Sequence, residues 1–290
     1  MRKKRTQPAN LNELDPAEKR RLFSRRRFLR GLAAVGALAI GQEFNERTHI
    51  RVSRQTIFVR RLPAPMRLAQ LSDLHRSWCV EESFIARIVE ETNALQPDVV
   101  ALTGDFVTIS SEYAASCVQQ LSRLRARLGL YGVLGNHDYW CDSRKGGPAV
   151  AEALTSVSVQ MLTNRNLRLD NGLFLVGVDD CWAGRPDPEA AFRGVPAGAP
   201  AVTLTHNPNL FRDLCVYDCV TLAGHTHGGQ IDLPFVTQIY LGRHNRYKAG
   251  WYGEPNRPGR LYVSRGLGVV GIPVRIRATP EIAVFDLLPA

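Results

Sequence analysis

The sequence predicts an α/β fold, with helices between the strands of its first half and more strand in its second half. From about Ile50, short apolar runs alternate with stretches whose apolar residues recur at helical spacing. The chain has 290 residues, of which 44% are hydrophobic and 22% charged. This composition supports a full hydrophobic core and excludes a disordered or fibrous protein.

The individual elements follow from the apolar runs. In the first half we expect strands at 66–71, 98–102 and 130–134 and helices at 84–95 and 113–128. In the second half we expect strands at 173–178, 202–205, 220–223, 261–263 and 282–287. Stretches rich in Gly and Pro predict loops over 184–200 and 242–259.

The positive charge of the chain is concentrated at its amino end. Residues 1–39 contain 11 basic and three acidic residues, whereas the remaining residues contain 26 basic and 24 acidic ones. The formal charge of +10 therefore does not describe the body of the protein. A near-neutral body argues against a broad nucleic-acid interface, so we expect no nucleic-acid partner, while a local pocket for a small phosphate ester stays possible.

The basic amino end has the plan of a signal peptide. A basic segment at 24–30 precedes an apolar run at 31–41, which is too short to span a bilayer, since a spanning helix needs about 20 residues. Ser24, the pair Arg25 and Arg26, and the following Phe28 and Leu29 resemble a twin-arginine signal. The alternative is a basic tail that precedes a helix.

We therefore expect a leader over 1–41, a single domain over 42–290, and export by the twin-arginine machinery to the periplasm or cell envelope. An uncleaved leader would leave the protein peripherally associated with the membrane. The six cysteines contain no C-x-x-C pair and no zinc-finger spacing, which favours buried or free thiols. A bridge between Cys141 and Cys181, formed after export, is left open.

Five polar motifs follow five of the apolar runs, where the expected strands end. They are Asp73-Leu74-His75, Gly104-Asp105, Gly135-Asn136-His137-Asp138, His206-Asn207-Pro208 and Gly224-His225-Thr226-His227. These motifs contain five of the seven histidines, all except His49 and His244. In open α/β sheets, ligands bind at the carboxyl ends of strands. Carboxylate, imidazole and amide ligands without thiolate suit Mn, Fe or Zn and do not match a closed structural zinc site.

Spacing within the motifs predicts which ligands share a volume. Side chains two residues apart at a strand end point to the same side. On this ground we expect Asp73 to lie with His75, and His225 to lie with His227.

The order of these motifs, spanning residues 66–227, resembles the ligand series of the calcineurin-like metallophosphoesterase family. Segments at 228–231, 264–268 and 282–285 further resemble an exported bacterial branch that includes lipid A precursor (UDP-diacylglucosamine) pyrophosphatases. The resemblance implies two facing β-sheets flanked by helices, a four-layer sandwich. It also implies two divalent or trivalent transition-metal ions (Mn, Fe or Zn).

The resemblance assigns a role to each matching residue. It implies that one ion is held by Asp73, His75, Asp105 and His227, and the other by Asp105, Asn136, His206 and His225. Asp105 would bridge the ions, and a hydroxide between them would be the nucleophile. His137 would protonate the leaving oxygen or hold the phosphate.

The sequence departs from the family pattern in two places. Thr108 stands where many members have a carboxylate that orients the catalytic histidine, which predicts a more weakly oriented His137. Arg76 follows the first motif and is either a contact for substrate phosphate or a solvated side chain. Arg243 and Arg246 belong to a loop of cations and aromatics at 241–260, which either binds substrate or is a solvated basic loop.

These observations predict a metal-dependent hydrolase of phosphate esters or pyrophosphates in the cell envelope, and lipid-linked substrates are left open. Alternatives within the enzymes are a UDP-diacylglucosamine-type lipid pyrophosphatase and a nuclease. A non-catalytic binding module of the same fold predicts the loss of several ligands, and none is missing. An ATPase is disfavoured because the chain has no glycine-rich loop ending in Lys-Ser or Lys-Thr.

Overall fold

The computed structural model describes residues 46–233, 237, 246–254 and 256–290, and all structural statements below concern these residues. They belong to one compact unit, Phe44–Ala290. The expected leader at 1–41 and the candidate Arg243 lie outside the described residues. Among the described residues, no helix combines the length and apolar character that crossing a membrane requires.

The first of two β-sheets has six strands, numbered here in chain order. Its spatial order is β1 (Arg51–Val59), β12 (Glu281–Pro289), β2 (Met66–Leu71), β3 (Val99–Thr103), β4 (Leu130–Val133) and β5 (Val159–Met161). Strands β2 to β5 pair in parallel, and β12 pairs antiparallel to β2. All five residues of β3 are buried, as expected for a central strand covered on both faces.

The second sheet also has six strands. Its order is β10 (Gly250–Gly253), β11 (Arg260–Val263), β9 (Val220–Ala223), β8 (Ala201–Leu204), β7 (Phe174–Gly177) and β6 (Arg165–Arg168). The four central strands pair in parallel, and the two edge strands are antiparallel to their neighbours. Both sheets therefore present several parallel carboxyl ends, where ligands collect.

Helices cover the outer faces of the sheets. They are α1 (Glu82–Ala94), α2 (Glu112–Leu121), α3 (Asn136–Arg144), α4 (Gly147–Ser156), α5 (Pro188–Phe192) and α6 (Phe211–Leu214), with 3₁₀ turns at Pro208–Leu210 and His227–Gly229. Ile85 of α1 and Leu121 of α2 pack in one apolar cluster with Val100 of the first sheet. Phe211 of α6 packs in another with Val176 of the second sheet.

A third apolar cluster fills the space between the sheets. It contains Leu68 and Ala101 from the first sheet and Leu175 and Leu204 from the second. The sheets therefore face each other across a shared core and carry helices on their outer sides. This confirms the predicted α/β class and the two facing, helix-flanked sheets.

Some predicted boundaries were wrong. The helix expected over 113–128 ends at Leu121. Beyond it the backbone N–H of Arg125 donates to the Asn93 side chain (2.8 Å) instead of to a helix carbonyl, and the chain then enters β4, which pairs with β3. The loop expected over 242–259 contains strand β10, and the loop expected over 184–200 contains helix α5. All six cysteines are free thiols, four of them buried.

Candidate active site

The predicted ligands all follow strands that end on the same side of the two sheets. Asp73 and His75 follow β2, and Asp105 follows β3. Asn136 follows β4, His206 follows β8, and both His225 and His227 follow β9. The fold thus gathers side chains from five strands of two sheets, as the sequence predicted from the strand ends.

Asp73, His75 and His227 form the first cluster. One ligand atom from each lies within 4.8 Å of the others, and all three residues are buried. The Nε2 atoms of His75 and His227 are 3.0 Å apart. Nε2 of His227 is also 3.4 Å from Oδ1 of Asp73.

Asp105, His206 and His225 form the second cluster, again with ligand atoms within 4.8 Å of one another. Nε2 of His206 lies 3.1 Å from Oδ2 of Asp105 and 3.2 Å from Nδ1 of His225. The same Oδ2 of Asp105 lies 3.3 Å from Nε2 of His75 in the first cluster. One carboxylate oxygen therefore joins the two clusters, in the position that the family resemblance gives to a bridging ligand.

The ligand residues do not continue their strands. Five of the seven have backbones that turn into the left-handed region, with φ of 54° at Asp73, 49° at His75, 55° at Asp105, 73° at His225 and 51° at His227. Such conformations are costly for residues other than glycine and concentrate at functional sites. Because strand alternation does not apply here, the prediction that His225 and His227 share one volume was wrong, and each joins a different cluster.

Glycine makes this close approach possible. Gly104 has a φ of +86°, and a Cβ there would lie 2.6 Å from the backbone nitrogen of Gly135 and 2.7 Å from Nδ1 of His206. Any side chain would therefore push β4 and a ligand histidine away from Asp105. The glycine before Asp105 in the second motif is required by both conformation and space.

Asn136 and Asp138 use the start of α3 in different ways. The side-chain oxygen of Asn136 is buried without a hydrogen-bond partner among the described residues, which fits a ligand atom. The Asp138 carboxylate accepts backbone N–H groups from Gly135 (2.9 Å), Asp105 (2.9 Å) and Phe106 (2.8 Å). Asp138 thereby ties the ends of β3 and β4 together and fixes the bridging residue.

The charges of the two clusters favour cations. Burial raises the pKa of Asp73, and the neighbouring Asp105 carboxylate raises it further. Burial, followed by the proximity of His206, lowers the pKa of His225 to about 3, which keeps its ring neutral and able to bind a metal. For His206 burial acts in the same direction, but Asp105 and two other carboxylates raise its pKa to about 10.

Asp73 and Asp105 are both buried carboxylates of this site. They attract positive charge, and for this reason the pKa of the nearby His206 is raised. Buried carboxylates are normally paired or coordinate metals. With converging imidazole nitrogens and the orphaned amide oxygen of Asn136, this donor set fits two transition-metal ions of the Mn, Fe or Zn type.

His137 is half-buried and lies next to the clusters without joining either. Its backbone N–H donates to Oδ1 of Asp105 (2.8 Å), and its ring meets that of His75 edge-on at 5.0 Å between centroids. Nδ1 of His137 lies 3.3 Å from the backbone carbonyl oxygen of Thr108. A carbonyl only accepts, so this contact places the proton on Nδ1 and leaves Nε2 for chemistry.

Thr108 contacts two histidines of the site. Its hydroxyl lies 3.1 Å from Nδ1 of His75, and it is the backbone carbonyl that faces His137. The side chain at this position therefore orients a metal-ligand candidate, whereas the backbone orients the candidate acid. The backbone carbonyl of Thr108, a weaker neutral acceptor, thus partly replaces the carboxylate that many family members have at this position.

The arginine candidates have separate positions. Arg76 donates to the carbonyl of Val80 (2.9 Å), pairs with Glu82 (3.2 Å) and lies over the ring of Tyr113. These contacts hold Arg76 in its own loop. Arg246 is exposed and pairs with Glu254 at 3.2 Å.

Arg275 is a site residue that the sequence analysis missed. It is fully buried, and its guanidinium NH2 group lies 3.3 Å from Nδ1 of His227. An arginine only donates, so this contact alone would place the ring proton on Nε2. Arg275 also donates to the backbone carbonyl of His227 (3.5 Å), and this bond holds the loop that carries the histidine. Nothing in the local sequence distinguishes this arginine, because it lies 48 residues beyond the histidine it contacts.

Comparisons with known proteins agree with this geometry. A family model described as "Calcineurin-like phosphoesterase" matches residues 66–229. An uncharacterized metallophosphoesterase of Helicobacter pylori (strain ATCC 700392 / 26695) is 32% identical over 246 residues, which cover 82% of this chain and 64% of that protein. The chain thus spans less than two thirds of that relative's length.

Two further relatives carry functional names. Phosphodiesterase YaeI of Escherichia coli (strain K12) is 31% identical over 281 residues, covering 92% of this chain and all of that protein. UDP-2,3-diacylglucosamine pyrophosphatase LpxG of Chlamydia trachomatis is 28% identical over 276 residues, covering 77% of this chain and 84% of that protein.

Proposed function

Because the chain belongs to the calcineurin-like phosphoesterase family, we propose that it is a metal-dependent hydrolase of phosphate esters or pyrophosphates. The observation that carries this proposal is the shared carboxylate oxygen of Asp105. It lies 3.3 Å from His75 in one cluster and 3.1 Å from His206 in the other. A single buried oxygen between two ligand sets is the arrangement that a two-metal site requires.

The two clusters, with Asn136 added to the second and Asp105 common to both, are the proposed metal ligands. When bound, two such ions polarise the phosphoryl oxygens and lower the pKa of the attacking water. The protein keeps the ligands in position: Arg275 holds the backbone of His227, Thr108 orients His75, and Asp138 holds the loop of Asp105. Such supporting contacts commonly change metal affinity by about 10- to 100-fold.

We assign to His137 the delivery of a proton to the leaving-group oxygen. The Thr108 carbonyl fixes the Nδ1–H, so Nε2 is the nitrogen that carries and releases the second proton. As the attacking water's oxygen forms its bond to phosphorus and Nε2–H donates, the bond from phosphorus to the leaving oxygen breaks. That oxygen keeps the electron pair and leaves as an alcohol from an ester or as a phosphate from a pyrophosphate. General acid catalysis of this kind contributes about 10²- to 10⁴-fold.

The test is a substrate panel on protein of known metal content. Aryl monoesters, bis-aryl diesters and a lipid-linked nucleotide sugar are compared, with elemental analysis of each preparation. We expect about two ions per chain and turnover of at least one class. Protein that holds two ions and hydrolyses none of the three classes would contradict the proposal, and one ion or none in active protein would contradict the two-metal site.

Asp105→Asn provides the matching variant. Loss of the bridging charge should lower activity by about 100-fold at the least. A 100-fold loss corresponds to about 2.8 kcal/mol of lost transition-state stabilisation. His49→Ala, outside every motif, is the control and should keep wild-type metal content and activity. A melting curve separates loss of the site from loss of the fold.

The names of the relatives support a finer proposal about the substrate. LpxG is named as a pyrophosphatase and YaeI as a phosphodiesterase, so we propose diester or pyrophosphate bonds as the preferred substrates.

The leader supports a separate proposal about localisation. From its sequence we propose export to the cell envelope by the twin-arginine machinery. Replacing both Arg25 and Arg26 with lysine keeps the charge and should abolish export, and normal export of this variant would contradict the assignment.

A further inference from the structure

Two tryptophans that no predicted motif includes adjoin the candidate site. The ring of Trp182 meets the ring of His225 edge-on at 4.4 Å between centroids. Trp140 lies 6.3 Å from Trp182 with the two ring planes 20° apart, and 5.6 Å from the ring of His137. Trp140 and Trp182, here called the tryptophan wall, thus connect the candidate acid with a candidate metal ligand.

Hydrogen bonds hold both sides of the tryptophan wall in place. The carboxylate of the buried Asp180 accepts the backbone N–H groups of Trp182 (2.8 Å) and Ala183 (2.7 Å), which fixes the turn that carries Trp182. Tyr139, the residue before Trp140, donates its hydroxyl to Asp179 at 2.7 Å. This bond links α3 to the turn, so the indoles need little additional ordering when a ligand binds.

The tryptophan wall is open to solvent on one side. Trp182 is 45% exposed, which is high for the largest apolar side chain next to a buried polar site. It also lines an open cavity of about 860 Å³, together with Arg212, Asp213 and Arg246. This volume is within the range of sites for small organic ligands. Trp182 therefore both contacts a candidate ligand histidine and borders open space.

We propose that the tryptophan wall is a substrate subsite that binds a planar aromatic group carried by the phosphate ester. The proposal rests on the proposed hydrolase function and narrows its substrate class. Flat indole faces favour flat π-systems over alkyl groups because stacking adds electrostatic and dispersion contacts to the burial of area. Stacking of one base on an aromatic side chain changes affinity by about 5- to 150-fold.

The experiment uses phosphonates, which the proposed reaction does not cleave because their substituent is attached through carbon. Binding of methylphosphonate, cyclohexylphosphonate and phenylphosphonate to metal-loaded protein is measured by calorimetry. Cyclohexyl and phenyl have similar size, but only phenyl is planar. We expect phenylphosphonate to bind at least about 5-fold more tightly than the other two, at the lower end of the stacking range.

Variants identify the surface that is responsible. Trp182→Ala should remove the preference for phenyl and leave methylphosphonate binding unchanged, while Trp182→Tyr should retain most of the preference. Phe58→Ala removes an aromatic side chain of β1 that is 67% exposed and far from the motifs in sequence, and it should change nothing. Metal content and melting temperature are measured for every variant.

The outcomes separate this proposal from the one on which it rests. Equal binding of phenyl and cyclohexyl by the wild type overturns the planar preference and indicates an apolar surface. A phenyl preference that survives Trp182→Ala overturns the role of the tryptophan wall. In both cases hydrolysis of phosphate esters by the wild type still stands. If no phosphonate binds and no ester is hydrolysed, both proposals fail.

Discussion

Replacing Arg275 with methionine should weaken both the fold and the first metal cluster. The buried guanidinium donates to the carbonyls of Arg265 (2.8 Å), Gly268 (2.9 Å) and Ala278 (2.7 Å). Each buried acceptor left without a donor costs about 1–3 kcal/mol, so three of them cost at least about 3 kcal/mol. Loss of the hydrogen bond to the backbone carbonyl of His227 should loosen the loop of this ligand and lower metal affinity by about 10- to 100-fold.

These two effects are measured separately. Urea unfolding of metal-loaded protein gives the free energy of unfolding, and competition with a chelator gives the metal affinity. Arg277→Met is the matched control, because Arg277 is exposed and lies two residues along the chain. Its effect should stay within about 0.5 kcal/mol. A loss below about 1 kcal/mol in Arg275→Met, or an unchanged metal affinity, would refute the reasoning.

Three further predictions test the site. Gly104→Ala should expel metal from the second cluster, since the new Cβ lies 2.7 Å from Nδ1 of His206; elemental analysis that finds full occupancy contradicts this. Thr108→Val should lower metal affinity by about 10-fold through His75, without changing the ratio of alkyl to aryl ester hydrolysis. His137→Gln should keep both ions and lower kcat/KM about 10²- to 10⁴-fold on alkyl esters but much less on p-nitrophenyl esters; an equal loss on both argues against the acid role.

The sequence could predict that the candidate ligands meet at one site because each of them follows a strand. Asp73, Asp105 and His206 each follow an apolar run, and the carboxyl ends of parallel strands meet at one side of a sheet. The structure therefore brings them together for the reason the strand pattern indicated. Strand β10 was missed because its four residues begin and end with glycine, which favours a loop prediction over a strand.

Local sequence patterns could not predict the contacts that support the candidate ligands. Arg275 contacts His227 across 48 residues, and the Tyr139 hydroxyl reaches Asp179 across 40. Neither pair has a spacing that a helix or strand would impose. The two contacts of Thr108 could not be predicted for a related reason, because a single position contributes a backbone carbonyl to one histidine and a side-chain hydroxyl to another.

The backbone at the ligands explains why their grouping could not be inferred from spacing. Alternation along a strand assumes φ near −120°, but His225 and His227 have φ of 73° and 51°. Asp73 and His75 also have left-handed φ, of 54° and 49°, yet they share the first cluster, so a spacing of two residues does not decide the grouping. The grouping depends on how the whole loop after each strand turns. Asp105, with φ of 55°, leaves its strand in the same way, and its Oδ2 lies 3.3 Å from His75 and 3.1 Å from His206, which follow strands of different sheets. Costly left-handed backbone thus concentrates where one oxygen lies between two ligand sets.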